Sequence, residues 1–104
     1  MPILSEQDAA EALDYETVEE LPAKVKNTLI PGIDDFLKNA TGKDWGTLTD
    51  TYKSIDPMAK MIAGILLVRW VEDPGQIGQV KDDGLLSLIS QLEAKYLQEK
   101  QAAT

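Results

Sequence analysis

Ile55-Asp-Pro-Met-Ala-Lys-Met-Ile-Ala-Gly-Ile-Leu-Leu-Val-Arg-Trp-Val-Glu-Asp73 decides the fold class, because it reads as a helix with apolar residues on every side. Asp56 is suited to accept the first free amides, and Pro57 fits the first helical position, where its missing N–H costs nothing and its φ is already helical. Pro74-Gly75 ends the segment. Projected at 100° per residue, Met58, Ile62 and Ile65 fall on one side, Leu67 and Val71 on the opposite side, and Val68 and Trp70 between them. A helix of this kind must be covered from all directions. In a chain of 104 residues, part of that cover is expected to come from another copy or another protein.

Working outward, Ser5 is a cap for a short first helix reaching Asp14, whose apolar content is mostly alanine and which therefore needs tertiary docking. A linker at 15–21 leads to Pro22 and a stripe of Val25, Leu29, Ile33, Phe36 and Ala40. The stripe stays in phase across Pro31, so a kink is expected near Ile30-Pro31-Gly32. Gly42 supplies a C-cap, and the glycine and threonines of 43–54 read as a loop carrying Trp45 and Tyr52. Loop aromatics more often plug the end of a small core than bind a ligand; contact with a neighbouring subunit is the second reading for both. After a further loop at 74–83, Asp83 is expected to cap a last helix to about Lys100. Leu85, Leu88, Ile89, Leu92 and Tyr96 form its core face, with Leu86 and Leu97 to the side. The expectation is one all-α domain over 1–104, a small bundle of about four helices around the apolar helix at 57–73, with frayed ends at 1–4 and 98–104.

Composition excludes much chemistry. The chain has no cysteine and no histidine, which removes disulfides, thiolate metal sites, the usual general base and the commonest zinc ligand. Gly42-Lys43 lacks the rest of a phosphate loop, since Leu37 and Asp44 stand where Gly and Ser/Thr are required. Asp34-Asp35 and Asp82-Asp83 are adjacent pairs without the spaced oxygens of a calcium loop. Ser5, Ser54, Ser87 and Ser90 have no histidine to activate them. No catalytic, cofactor-binding or metal-ligating residue is assigned, and enzyme activity is not expected. The N-terminal stretch has no basic and apolar leader pattern, and the longest apolar run, Met61 to Val68, falls well short of the ~20 residues that cross a bilayer. A soluble, unexported protein without membrane contact is expected.

Net charge is −8, from eighteen acidic and ten basic residues. Glu6, Asp8, Glu11, Asp14, Glu16, Glu19 and Glu20 all precede the first basic residue, Lys24. A solvated face or mobile arm is the plain reading; a surface that docks a basic partner or repels passing nucleic acid is the sharper one. Sequence-specific DNA binding is not expected, as there is no basic helix or stacking platform. Arg69 projects onto an apolar side, where pairing with Glu72 or Asp73 is the local solution and an intersubunit pair the alternative.

The order of these features resembles the head–tail connector (adaptor, neck) proteins of tailed bacteriophages and prophages, over roughly Leu29 to Leu97. The marks are Ile33-Asp-Asp-Phe-Leu-Lys-Asn-Ala-Thr-Gly-Lys-Asp-Trp45, similar to the family's helix ending in a Thr-Gly-basic-Asp-aromatic corner, then Pro57 through Arg-Trp-Val-Glu72, then Gly84-Leu-Leu-Ser-Leu-Ile-Ser-Gln-Leu-Glu-Ala-Lys-Tyr96. Pro31-Gly32 and the acidic linker at 15–20 depart from the family's pattern. The resemblance implies a structural protein of the virion neck, made in the bacterial cytoplasm and without cofactors. It implies a homo-oligomeric ring, completed on the portal protein, joined to a downstream head–tail joining protein and leaving a channel for DNA. Candidate interface residues are Trp45, Tyr52, Lys60, Leu67, Arg69, Trp70, Val71, Leu86 and Leu97; the seven early carboxylates are candidates for a channel-facing or solvated acidic surface. The alternative is a small acidic regulator or interaction protein, such as a DNA mimic.

Overall fold

The computed structural model describes residues 2–48 and 54–102, and every regular element among them is helical. Four α-helices, α1 (Glu6–Ala12), α2 (Ile30–Thr41), α3 (Pro57–Glu72) and α4 (Asp83–Ala102), are joined by single turns of 3₁₀ helix at Val18–Glu20 and Pro74–Gln76, and a π turn at Val25–Leu29 leads into α2. The all-α expectation holds.

Helix α1 is short and begins with a reciprocal cap: the Ser5 hydroxyl accepts the Asp8 amide while the Asp8 carboxylate accepts the Ser5 amide. It stops at Ala12, two residues before the expected end, and Asp14 turns the chain away with a left-handed backbone at φ 62°. Aspartate tolerates that region better than most residues. Ile3 and Leu4 are buried, the Ile3 amide donates to the Asp34 carboxylate at 2.9 Å, and α4 continues to Ala102.

Pro31 is accommodated upstream of itself. It has no N–H to donate to the previous turn, and just before it the helix widens into the π turn, closed by the Ile30 amide on the Val25 carbonyl. At the site of the expected kink stands this π turn; of the expected stripe Val25, Leu29 and Ile33 are buried and Phe36 and Ala40 half-buried, with Leu37 the fully buried position beside them. Gly42 ends α2 at φ 90°, a left-handed backbone that favours glycine, and a Cβ there would meet the Tyr96 ring only at ordinary contact distance, 3.5 Å.

Helix α3 packs against α1, α2 and α4. Asp56 caps it, accepting the Met58 and Ala59 amides, and also binds the Lys95 ammonium of α4. Its buried positions, Ala59, Ile62, Ala63, Leu66, Leu67 and Trp70, follow helical spacing and form one continuous stripe. Ala59 and Ala63 lie in that stripe and Ala9 and Ala10 are buried on α1, small residues that let helix axes approach closely. The cap of α4 is Asp82 rather than Asp83, since the Asp82 carboxylate takes the Leu85 amide.

Candidate interaction surface

The residues singled out from the sequence separate into interior and surface. Trp45 is buried, with its indole N–H donating to the Thr41 hydroxyl at 2.8 Å while that hydroxyl donates to the Leu37 carbonyl at 2.7 Å. Its edge meets Tyr96 at a centroid distance of 6.4 Å, and Lys43 lies 4.4 Å over its ring while pairing with Glu99. This aromatic plugs the end of the core and is withdrawn as a contact residue. Trp70 is likewise inside, edge-on to Phe36 at 5.4 Å with its N–H on the Gln79 carbonyl. Leu67 has no exposed surface at all. The arc of α3 that seemed to need intermolecular cover at Leu67 is covered within the chain, and α1 is tied to α3 beside it by the Lys60–Asp8 pair at 3.3 Å. Tyr52 falls outside the described residues.

Arg69 bonds neither Glu72 nor Asp73. Its guanidinium donates to Asp82 at 2.7 Å, thirteen positions on, clamping the start of α4 to the end of α3. The expectation of an i+3 or i+4 bridge failed because the turn after Asp73 folds the chain back and because Asp73 instead accepts the Gly75 amide and the Gln76 side chain. Among the named interface residues, the exposed apolar ones are Val71, Leu86 and Leu97.

Periodicity groups Ile65 with Met58 and Ile62, and Met58 and Ile65 do pack half-buried against the core beside buried Ile62. Toward solvent, α3 presents exposed Met61 with half-buried Gly64, Ile65 and Val68. These residues, with Ala12 of α1 and Arg69, line an open groove of about 390 Å³. Met61 is 48% exposed. The sequence contained this feature as an unbroken apolar run, but nothing in it distinguished the groove side from the core side. A second depression, lined by residues including Lys26, Asp34, Asp35, Lys38 and Asp44, is charged and of mixed sign.

The early carboxylates belong to folded structure rather than to a loose arm. Glu6, Asp8 and Glu11 lie on α1, and Glu19 and Glu20 on the following 3₁₀ turn; all except half-buried Asp8 are exposed, as are Asp14 and Glu16 between them. Burial raises the Asp8 carboxyl, but the Ser5 amide and hydroxyl and the Lys60 ammonium outweigh it and hold it below the ordinary carboxylate value. Asp34 goes the other way: burial lifts it, helped by the charges of Asp44 and Asp35, against the bond from the Ile3 amide.

No group of three or more carboxylates among the described residues could hold a metal ion, and no helix among them is long and apolar enough to cross a membrane. No protein family, curated protein or solved structure matches the chain.

Proposed function

We propose that this chain is a structural subunit of a bacteriophage or prophage neck, a connector that forms a ring on the portal, meets the next head–tail joining protein and leaves a passage for DNA. The observation that carries the reading is the corner at Thr41-Gly42-Lys43-Asp44-Trp45, the most family-like stretch of the sequence. Here the left-handed glycine, the Thr41 hydroxyl and the buried Trp45 lock α2 against α4. The remaining support is what the surface offers: apolar side chains on two helices, Val71 on α3 and Leu86 and Leu97 on α4. A ring of many copies requires a heterologous contact in which one patch meets a different one, and two patches are the minimum for it. In this reading the role is assembly, without catalysis or cofactor, at the neck of the virion.

The acidic segment would serve the passage. Carboxylates on α1 and the 3₁₀ turn repel phosphates, so DNA moving past them would not be gripped. A second reading is favoured by the same placement: an acidic regulator that imitates nucleic acid needs its carboxylates on folded backbone, and these are.

Light scattering and negative-stain imaging of the purified chain, alone and with portal, test the proposal. Rings on the portal, abolished by Leu97→Asp with helicity retained, are the expected result. A chain that stays monomeric and ignores the portal overturns it. If that monomer instead competes with DNA for a basic DNA-binding protein, the regulator reading takes its place.

A further inference from the structure

We infer that the exposed C-terminal end of α4 is a self-association surface, which pairs antiparallel with the same end of a second copy about a two-fold axis beside Leu97. Tyr96 is the last residue of α4 packed against the core, and beyond it Leu97, Gln98, Lys100 and Gln101 are exposed while Glu99 is half-buried. The helix nevertheless runs to Ala102. A helix end with so little of its own chain against it frays in water, so this one gains order from a partner laid along it. Leu97, 48% exposed, is the apolar anchor. At 100° per residue Glu93, one turn before it, and Lys100, one turn after it, both fall to the same side of Leu97, by about 40° and about 60°. Exposed Ser90 and Ala94 on its other side are small and let a second helix come close.

Charge selects the occupant. Past the first turn of α4, Lys95 is bound by Asp56 and Glu99 by Lys43 at 2.8 Å, whereas Glu93 and Lys100 make no ion pair with any described residue. They stand seven positions apart, about 10 Å along the helix, and do not reach each other. A two-fold axis perpendicular to two antiparallel helices keeps each residue on its own flank and reverses the order along the helix. In a pair centred between Tyr96 and Leu97, each Glu93 therefore lies opposite the partner's Lys100, and Leu97 packs on the partner's Leu97. A parallel pair would instead stack carboxylate on carboxylate and ammonium on ammonium. The antiparallel overlap spans 91–102, which leaves the two cores at opposite ends of it and clear of each other. A foreign partner would need a matching order of acid and base; a second copy has it by symmetry. The two crossed pairs also offset, at short range, the repulsion between chains of net charge −8. About three turns of contact per copy fall below the ~1,200 Å² of standard interfaces, so the pair is weak, with a Kd on the order of 100 µM. The inference goes beyond the ring reading and does not rest on it. An isologous pair closes on itself and belongs to the free chain, where covering Leu97 would hold back a ring contact until the portal competes for it.

The test is sedimentation equilibrium of the full chain without portal, from about 10 µM to about 1 mM, near 0.15 M salt where charges beyond about 8 Å are screened. The expected result is a reversible monomer–dimer equilibrium. Leu97→Gln should weaken it at least about tenfold, while Leu86→Gln, outside the overlap, changes it less than about twofold. Glu93→Lys and Lys100→Glu should each weaken it severalfold, although the first lowers the net charge and with it the general repulsion. The double variant, in which the crossed pairs are re-formed with their signs exchanged, should return to within about twofold of the original. An equimolar mixture of the two single variants should form mixed dimers more tightly than either variant alone. All of these positions are exposed, so the variants should retain the fold, checked by unchanged thermal unfolding. A chain that stays monomeric to about 1 mM, association indifferent to Leu97→Gln, tightening by Glu93→Lys, or a double variant no better than the singles would each overturn the inference. Ring formation on the portal is read separately by imaging and stands or falls without this result.

Discussion

Helices α2 and α3 bury residues at the same helical spacing, yet only α2 tells which side it buries. In α2 the interior positions Ile30, Ile33, Leu37 and Thr41 alternate with exposed Pro31, Asp35, Lys38 and Asn39, so a single arc is apolar. In α3 the interior stripe from Ala59 to Trp70 faces away from a second, outward stripe of Met61, Ile65 and Val68 that is nearly as apolar. Periodicity locates a face by contrast with its opposite, and α3 offers no contrast. The lesson is that an all-apolar helix announces that much of it will be covered without saying by what. Here α1, α2 and α4 cover one side and leave the other to the groove.

Truncation inside each helix gives the largest test of that comparison. Leu37 on α2 and Leu67 on α3 are both fully buried. Leu37→Ala and Leu67→Ala should each cost about 2–5 kcal/mol in urea unfolding. Both losses should be the same at low and high protein concentration. A Leu67→Ala loss that appears only at high concentration would return this position to an intermolecular contact and break the equivalence of the two stripes.

How far the sequence could be read follows the same contrast. The caps at Ser5, Asp56 and Gly42, the core face of α4 and the role of Trp45 as a plug were all legible, because each depends on a residue type at a local spacing. Leu67, Trp70 and Arg69 were misplaced for a tertiary reason. Cover from α1 and a partner thirteen residues away depend on how the chain folds back, which neighbouring residues do not encode. Ile3 and Leu4 were missed because two apolar residues are too few to show a period, and what fixes them is the distant Asp34. The acidic run was legible as charge but not as structure, since α1 persists through its capping box and its seat on α3 rather than through its own apolar content.

The corner between α2 and α4 is the next test in size. Thr41→Val keeps the shape of the side chain but removes the acceptor for the Trp45 indole, leaving a buried donor unmatched. The expected cost is about 1–3 kcal/mol. Thr41→Ser, which keeps the hydroxyl, should recover most of it. If valine were tolerated as well as serine, the corner would be held by packing alone.

Titration separates α2 from α3 more gently. Burial lifts the Asp56 carboxyl at the head of α3, but the Lys95 ammonium and the Ala59 and Met58 amides outweigh it, so the folded value lies below the unfolded one. Its contribution is present above the unfolded value and lost as pH falls through the folded one, in the acid range below about 4. Asp34 on α2 has the opposite sign: its folded value is raised, so its charge costs stability at neutral pH and that cost is relieved as pH falls through the folded value towards the unfolded one. Asp56→Ala should therefore lower stability by about 1 kcal/mol at neutral pH and reduce the loss seen below pH of about 4. Asp34→Asn, whose carbonyl still accepts the Ile3 amide, should hold or raise neutral stability and leave a steeper fall in acid. Parallel behaviour of the two variants across pH would contradict this assignment of opposite shifts.

The smallest expected effect bears most on what α3 is for. Met61→Gln and Val71→Gln replace exposed apolar groups, 48% and 38% accessible, with a polar amide. Each should change unfolding stability by less than about 0.5 kcal/mol. The outward stripe of α3 would then be apolar without helping the monomer fold, in a chain whose net charge of −8 otherwise favours keeping its surface wet. Such a face is consistent with a partner that α3 itself does not supply. A loss above about 1 kcal/mol for Met61→Gln would instead make the stripe part of the subunit's own packing, and α3 would then resemble α2 in having one face that matters, only wider.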